Sequence, residues 1–219
     1  MKLSTTCWFV AAFLIYLGLI SWLKPEHPEN KRQEGVRHYK QVGKNKVLAI
    51  NLYREAASRG EAEGQFKLGL CYATGTGVKK SLAMAAQWYR KAAEQGDVDA
   101  QCRLGDCYHN GEGVEKDQAK AMSWYRKAAE QGDAESQYKL AEFYMRGECV
   151  TTDLTQSAAW YRKAAEQGFS AAINNLTVVE KELSPEALQL SKERASEIQK
   201  VIEVNIAARK DAEAKKAGK

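Results

Sequence analysis

Leu68 and Tyr72, Leu104 and Tyr108, and Leu140 and Tyr144 each stand four residues apart, and the pairs recur every 36 residues. A spacing of four puts each pair on one face of a helix. Apolar positions therefore predict a first helix in each unit, helix A, over 62–74, 98–110 and 134–146. A second pattern follows each one: the nine letters Trp88–Gly96 return at Trp124–Gly132 and Trp160–Gly168. Its bulky pair, Trp88 and Tyr89, and its small pair, Ala92 and Ala93, repeat at helical spacing and predict a helix B over 82–95, 118–131 and 154–167. Ser81, Asp117 and Asp153 stand just before helix B, as does Asn45 in a decayed first copy, and each can cap free backbone N–H groups. Gly60, Gly96, Gly132 and Gly168 stand just after it, where a left-handed residue ends a helix most cheaply as glycine.

Helices this short are marginal alone and must bury a stripe against their neighbours. The fixed interval predicts stacked two-helix units, an all-α chain in which the same interface is built repeatedly. Gly69, Gly105 and Ala141 beside the leucines are small, which lets helix B approach. The turns read Gly75-Thr-Gly-Val78, Gly111-Glu-Gly-Val114 and Gly147-Glu-Cys-Val150. Cys149 replaces the second turn glycine, so the third turn is expected to be strained or rearranged if that position needs positive φ. A last helix A over 171–183 keeps Leu176 but has Thr177 and Glu180 at the Gly and Tyr positions, as a terminal cap would. Ser184 and Pro185 open a long final helix whose stripe of Leu188, Ala195, Ile198, Ile202 and Ile206 suits covering the last repeat. The organisation follows as 1–24 anchor or uncleaved signal, 25–44 basic linker, and 45–61 partial repeat. Full repeats cover 62–97, 98–133 and 134–169, followed by capping helices over 170–208 and a frayed basic tail over 209–219.

Residues 3–23 carry no charge and are bounded by Lys2 and Lys24. As a helix they would reach roughly 30 Å, the thickness of a bilayer core. Trp8 and Trp22 suit its interfaces, and no small-residue cleavage site follows, so a single-pass N-terminal membrane anchor is the expectation. Orientation cues conflict: the basic residues after the span favour a cytoplasmic body, whereas the two-residue flank before it resembles an export signal, and the side stays open. The formal charge of +5 is concentrated outside the repeats. Residues 47–208 carry 20 basic and 23 acidic groups, against seven basic and three acidic over 24–46. A folded part without a basic face argues against nucleic acid as partner.

Reactive chemistry is sparse. Only three histidines occur, and no nucleophile elbow, P-loop, metalloprotease helix or dinucleotide fingerprint is present. Cys71, Cys102, Cys107 and Cys149 show no CxxC or Cys/His metal spacing; they read as small buried hydrophobes, with an inter-helix disulfide open if the body is exported. No metal, cofactor or enzymatic activity is expected.

The Leu-Gly pair, the tyrosine, the Gly-x-Gly-Val turn and the Trp-Tyr-x-Lys-Ala-Ala-Glu-Gln-Gly close resemble the Sel1-like repeat family, a relative of the tetratricopeptide repeats, over roughly 45–183. The resemblance implies a right-handed α–α solenoid acting as a scaffold or adaptor that presents helix A to a protein or peptide. Some exported cysteine-rich relatives are associated with β-lactam binding or cleavage. An exported hydrolase or cell-wall ligand binder is thus the alternative, although the regular Cys pairs of those relatives are missing. Within helix A the framework repeats while one stripe changes: Phe66, Cys102, Tyr138; then Leu70, Asp106, Glu142; then Ala73, His109, Met145. Spacings of four and three put these on one face. Phe66, Leu70, Asp106, His109, Tyr138, Glu142 and Met145 are accordingly the candidate partner-binding residues, with packing between A helices as the competing explanation.

Overall fold

The computed structural model describes residues 46–217, and within them the side chains of 48–215. Residues 1–24, the linker 25–44 and the proposed cap Asn45 lie outside the described residues. Among those described there is no strand, and no helix is long and apolar enough to cross a membrane. The helices are α1 (Lys46–Ser58), α2 (Ala62–Thr74), α3 (Leu82–Glu94), α4 (Val98–Asn110), α5 (Gln118–Ala129), α6 (Ala134–Arg146), α7 (Leu154–Glu166), α8 (Ser170–Glu182) and α9 (Pro185–Ala217). Helices α2, α4, α6 and α8 are the A helices; α3, α5 and α7 are the B helices. Helices α2, α4 and α6 each pack on their own B helix, and each B helix packs on the next A helix, the last being α8 on α7, so the array is a solenoid.

Local chemistry sets the helix ends. The side chains of Ser81, Asp117 and Asp153 accept from the backbone N–H of Met84, Lys120 and Gln156, and Asp97 and Asp133 cap α4 and α6 in the same way. Gly60, Gly96, Gly132 and Gly168 all have positive φ, the left-handed ending that glycine permits. Close packing explains the small residues of helix A. A Cβ on Gly69 would lie 2.7 Å from the Tyr89 ring, and one on Gly105 would lie 2.5 Å from the Tyr125 ring. Leu68, Leu104 and Leu140 are buried beside them.

Cys149 shows what the third turn does without its glycine. Its φ is +57°, beside +66° at Gly77 and +75° at Gly113, and it is the one non-glycine with positive φ among the described residues. The turn keeps its shape and is strained. A left-handed L-residue costs roughly 1–2 kcal/mol, part of which glycine would return as unfolded-chain entropy. Cys149→Gly is therefore expected to stabilise the chain by about 0.5–1 kcal/mol, measured by urea unfolding. A loss of stability would show that the contact of its Sγ with Met122 Sδ, at 3.8 Å, outweighs the strain.

Two ladders of polar side chains tie the units together. Gln95 Nε2 donates to Gln65 Oε1 at 2.7 Å, and Gln131 to Gln101 and Gln167 to Gln137 at 2.8 Å. Gln101 and Gln137 in turn donate to the carbonyls of Ala93 and Ala129 in the preceding B helix, both at 3.1 Å. The second ladder joins each B helix to the next A helix: Arg90 donates to Tyr108 Oη at 2.9 Å and Arg126 to Tyr144 Oη at 2.5 Å. In the terminal copy Arg162 pairs with Glu180 instead. The departure from tyrosine thus keeps an acceptor for the arginine.

Helix α9 packs on α7. Arg194 reaches Asp153 at 3.0 Å, Asn205 Nδ2 donates to the Glu130 carbonyl at 2.9 Å, and Ile202 and Ile206 lie against Gly132. Ala159, Trp160 and Lys163 of α7 are buried, whereas their counterparts Ser123 and Lys127 in α5, and Gln87 and Lys91 in α3, are exposed and Trp124 and Trp88 are half-buried. The stripe read from the sequence thus covers the outer face of the last B helix. Helix α9 also runs on to Ala217 through the segment expected to fray, with its described side chains there exposed. Residues 207–215 contain no Gly or Pro and are rich in strong helix formers, and Arg209 and Glu213 stand as an i, i+4 pair at 4.0 Å.

Candidate functional site

Of the seven candidate residues, Asp106 centres one cluster, Tyr138, Glu142 and Met145 form another, and Phe66, Leu70 and His109 each pack separately. Phe66 is buried, its ring tilted against Tyr89 at 5.8 Å between centroids. Leu70 is half-buried and packs on the core. His109 Nδ1 stands 2.8 Å from Gln118 Oε1, with its ring edge-on to Phe143 at 5.7 Å. On α6, Tyr138 packs its ring on Tyr161 at 5.5 Å and on Phe169 at 5.1 Å. Met145 Sδ receives the Tyr161 hydroxyl at 3.7 Å, and Glu142 pairs with Arg146 at 2.6 Å. These three gather around Tyr161, one repeat away from Asp106.

Asp106 is the centre of the other cluster. Its Oδ1 accepts from the Tyr125 hydroxyl and from Lys139 Nζ, both at 2.8 Å, and its Oδ2 accepts from Arg103 at 3.1 Å. Glu135 adds longer pairs to Lys139 at 3.5 Å and to Arg103 at 3.9 Å. Burial, then the charge of Asp106 and the bond to it, push the Tyr125 hydroxyl well above its ordinary pKa, so it stays a donor. Charge-assisted bonds of this kind are stronger than neutral ones. Cys102 Sγ and the Asp106 and Glu135 carboxylates lie within 4.8 Å of one another. A cation would compete there with Arg103 and Lys139, and burial pushes the Cys102 thiol up to about 12, away from the thiolate a metal needs. The Cys107 thiol is likewise pushed up to about 11 by burial. All four described cysteines are free thiols.

Next to this network lies a groove of about 290 Å³. Ala73, Leu82, Ala85, Tyr89 and Cys107 line it together with Arg103, Asp106, Asn110, Glu112, Glu135 and Lys139. It sits at the lower end of ligand-pocket sizes, fit for a side chain or two of a peptide. Of the stripe, Ala73 and Asp106 line it; Tyr138, Glu142 and Met145 do not. The sequence reading gives Tyr89 a packing role only and assigns none to Arg103 and Lys139, yet for these two the signal is present: the residue before the repeated leucine is Lys67, Arg103 and Lys139 in turn, a cation kept in every full copy.

The Sel1 repeat pattern matches residues 33–61, 62–97, 98–133 and 134–169. The chain belongs to the Sel1 repeat family. The first match begins ahead of the partial copy read from residue 45. Among solved structures, a Sel1 repeat protein from Oxalobacter formigenes is similar at 32% identity with a TM-score of 0.67, covering 85% of this chain and 78% of that one. The c5321 protein, a protective antigen of uropathogenic Escherichia coli strains with an SLR fold, is similar at 27% identity and a TM-score of 0.58, over 84% of this chain and 48% of its own. This chain thus spans about half the length of that antigen. No curated protein matches the sequence. Sel1 repeats generally mediate protein–protein interaction, and in this Sel1 array the groove is lined from the A helices α2, α4 and α6 and from the B helix α3.

Proposed function

We propose that the chain is a membrane-tethered, non-enzymatic scaffold that binds a protein or peptide along the helix A face of its Sel1 array. One observation carries the reading: the groove beside Asp106 is lined from three consecutive units, while the buried leucines Leu68, Leu104 and Leu140 and the rings of Tyr89, Tyr125 and Tyr161 repeat in the frame beneath. A surface that varies on a fixed frame is what recognition requires, and its half-buried ionic groups supply selectivity more than raw affinity. The run 3–23 serves as the tether in this reading, supported by its length and lack of charge. Asp106 and Glu142 act in it as members of ion pairs, through the cations they orient.

The test is capture of protein partners by crosslinking in cells with the full-length chain. Arg103→Glu combined with Arg146→Glu, both partly exposed on the A face, is expected to lower capture at least tenfold. Lys91→Glu with Lys127→Glu on the B face is expected to leave it unchanged. Equal capture by both variants, with thermal unfolding matched to the parent, would remove the helix A face.

A further inference from the structure

The final A helix breaks two rules that the other three keep. In α2, α4 and α6 the repeated phrase opens on Gln65, Gln101 or Gln137, and the residue after its leucine is Gly69, Gly105 or Ala141; in α8 these positions hold Ile173 and Thr177. Burial changes with them. Ile173, Asn174, Thr177 and Val178 are exposed, Ile173 at 47% and Val178 at 56%, whereas their counterparts in α2, α4 and α6 are all buried or half-buried. The cause is the path of the chain. Each of the other A helices is covered by its own B helix, while α9, which follows α8, packs back on α7. The face of α8 that continues the A-to-B interface is therefore open, and Ser170, Ile173, Asn174, Thr177, Val178 and Lys181 share it at helical spacing. An ordinary further unit does not fit on it. Ile173 cannot accept the bond that a B-helix glutamine gives to Gln65, Gln101 and Gln137, and Thr177 puts side-chain atoms where the Tyr89 and Tyr125 rings approach Gly69 and Gly105. Facing water does not account for the change either, since the glutamine of the other copies suits solvent better than isoleucine does.

We propose that α8 is the contact through which two copies of this chain associate, antiparallel about a two-fold axis between Asn175 and Leu176. The open face is self-complementary in that arrangement, as a closed pair requires. Ile173 meets the partner's Val178, and the reverse contact repeats it. Thr177 Oγ1 already donates to the Ile173 carbonyl at 3.0 Å, and its lone pairs accept from the amide of the partner's Asn174. Lys181 lies over the partner's Ser170, so the two lysines stand at opposite ends, where a parallel pair would bring them together. The contact takes up the interface at which the repeats stack inside one chain and closes it with a second copy instead of another unit. One helix pair is small beside the roughly 800 Å² per partner of a stable complex, so the association is weak and reversible.

The experiment is sedimentation velocity of the full-length protein in mild detergent over a concentration series. A reversible monomer–dimer equilibrium is expected. Ile173→Gln, which restores the residue of the other three units, is expected to weaken it at least about tenfold, because a symmetric contact loses the side chain twice. Its thermal midpoint is expected to match the parent, since the position is exposed within one chain. Val204→Gln is the control: Val204 is 66% exposed on the stretch of α9 that lies by Gly132, and association is expected to be unchanged. A photo-crosslinking residue in place of Lys181 is expected to join two chains at the first turn of the partner's α8. A monomer at every concentration, a dimer indifferent to Ile173→Gln, a dimer lost with Val204→Gln, or an adduct elsewhere on the chain overturns the pairing. Used in cells, the same crosslinker tests the occupant: adducts with a different polypeptide and none with a second copy overturn self-association.

Discussion

Gly113→Ala is expected to destabilise the chain by about 3–5 kcal/mol, far more than Gly96→Ala, at about 1–2 kcal/mol. Both glycines have positive φ, at +75° and +90°, so left-handed strain alone does not separate them. Surroundings do. A Cβ at Gly96 would meet nothing within 4 Å, whereas one at Gly113 would lie 2.2 Å from the Leu82 carbonyl oxygen and 2.6 Å from the Ala83 nitrogen. Backbone atoms cannot swing aside as a flexible side chain can, so the turn must lift off α3 and open the packing between units. Cys149 shows that an L-residue can hold the φ; the clash is what the third turn escapes. Chemical denaturation of the two variants checks the contrast, and equal losses would mean that the turn is free to move away from α3.

A chain ending at Leu183 is expected to lose at least about 3 kcal/mol, since burying one or two large apolar side chains is worth about that much. Removing α9 uncovers Trp160 and Ala159 on α7, together with Gly132 at the end of α5. The indole emission is expected to shift to the red as Trp160 meets water. Part of the loss is polar: Asp153 loses Arg194, and the Glu130 carbonyl loses the Asn205 amide. An unchanged unfolding midpoint would show that the three repeats cap themselves.

The helices, their order and their ends were legible because each depends on local chemistry. Ser81, Asp117 and Asp153 cap what they precede, and the repeated glycines close what they follow. The covering role of α9 was legible in its stripe, and a second cue lay in α7: the position occupied by Gln87 and Ser123 becomes Ala159, small where another helix rests. The site was harder to read. Asp106 was visible as a variable residue, but not as the acceptor of three donors, because those donors come from 3, 19 and 33 residues away. Phe66 varies along the same stripe and yet turns inward onto Tyr89, since a helix face that curves between neighbours has an edge no linear spacing reveals. The glutamines show the converse. Gln65, Gln101 and Gln137 open the repeated phrase, but their bonds run to residues 30 positions on, so repetition marked them while their role stayed hidden.

Seating the final helix on Ala159 has a consequence for lengthening the array. An extra unit spliced after Gly168 would have to bring its own alanine there and release the old one to solvent, so the seal would need rebuilding. Duplicates placed ahead of α5 leave these contacts of α9 in place. Growth of this molecule, whether by gene duplication or in a designer's hands, has one permissive direction.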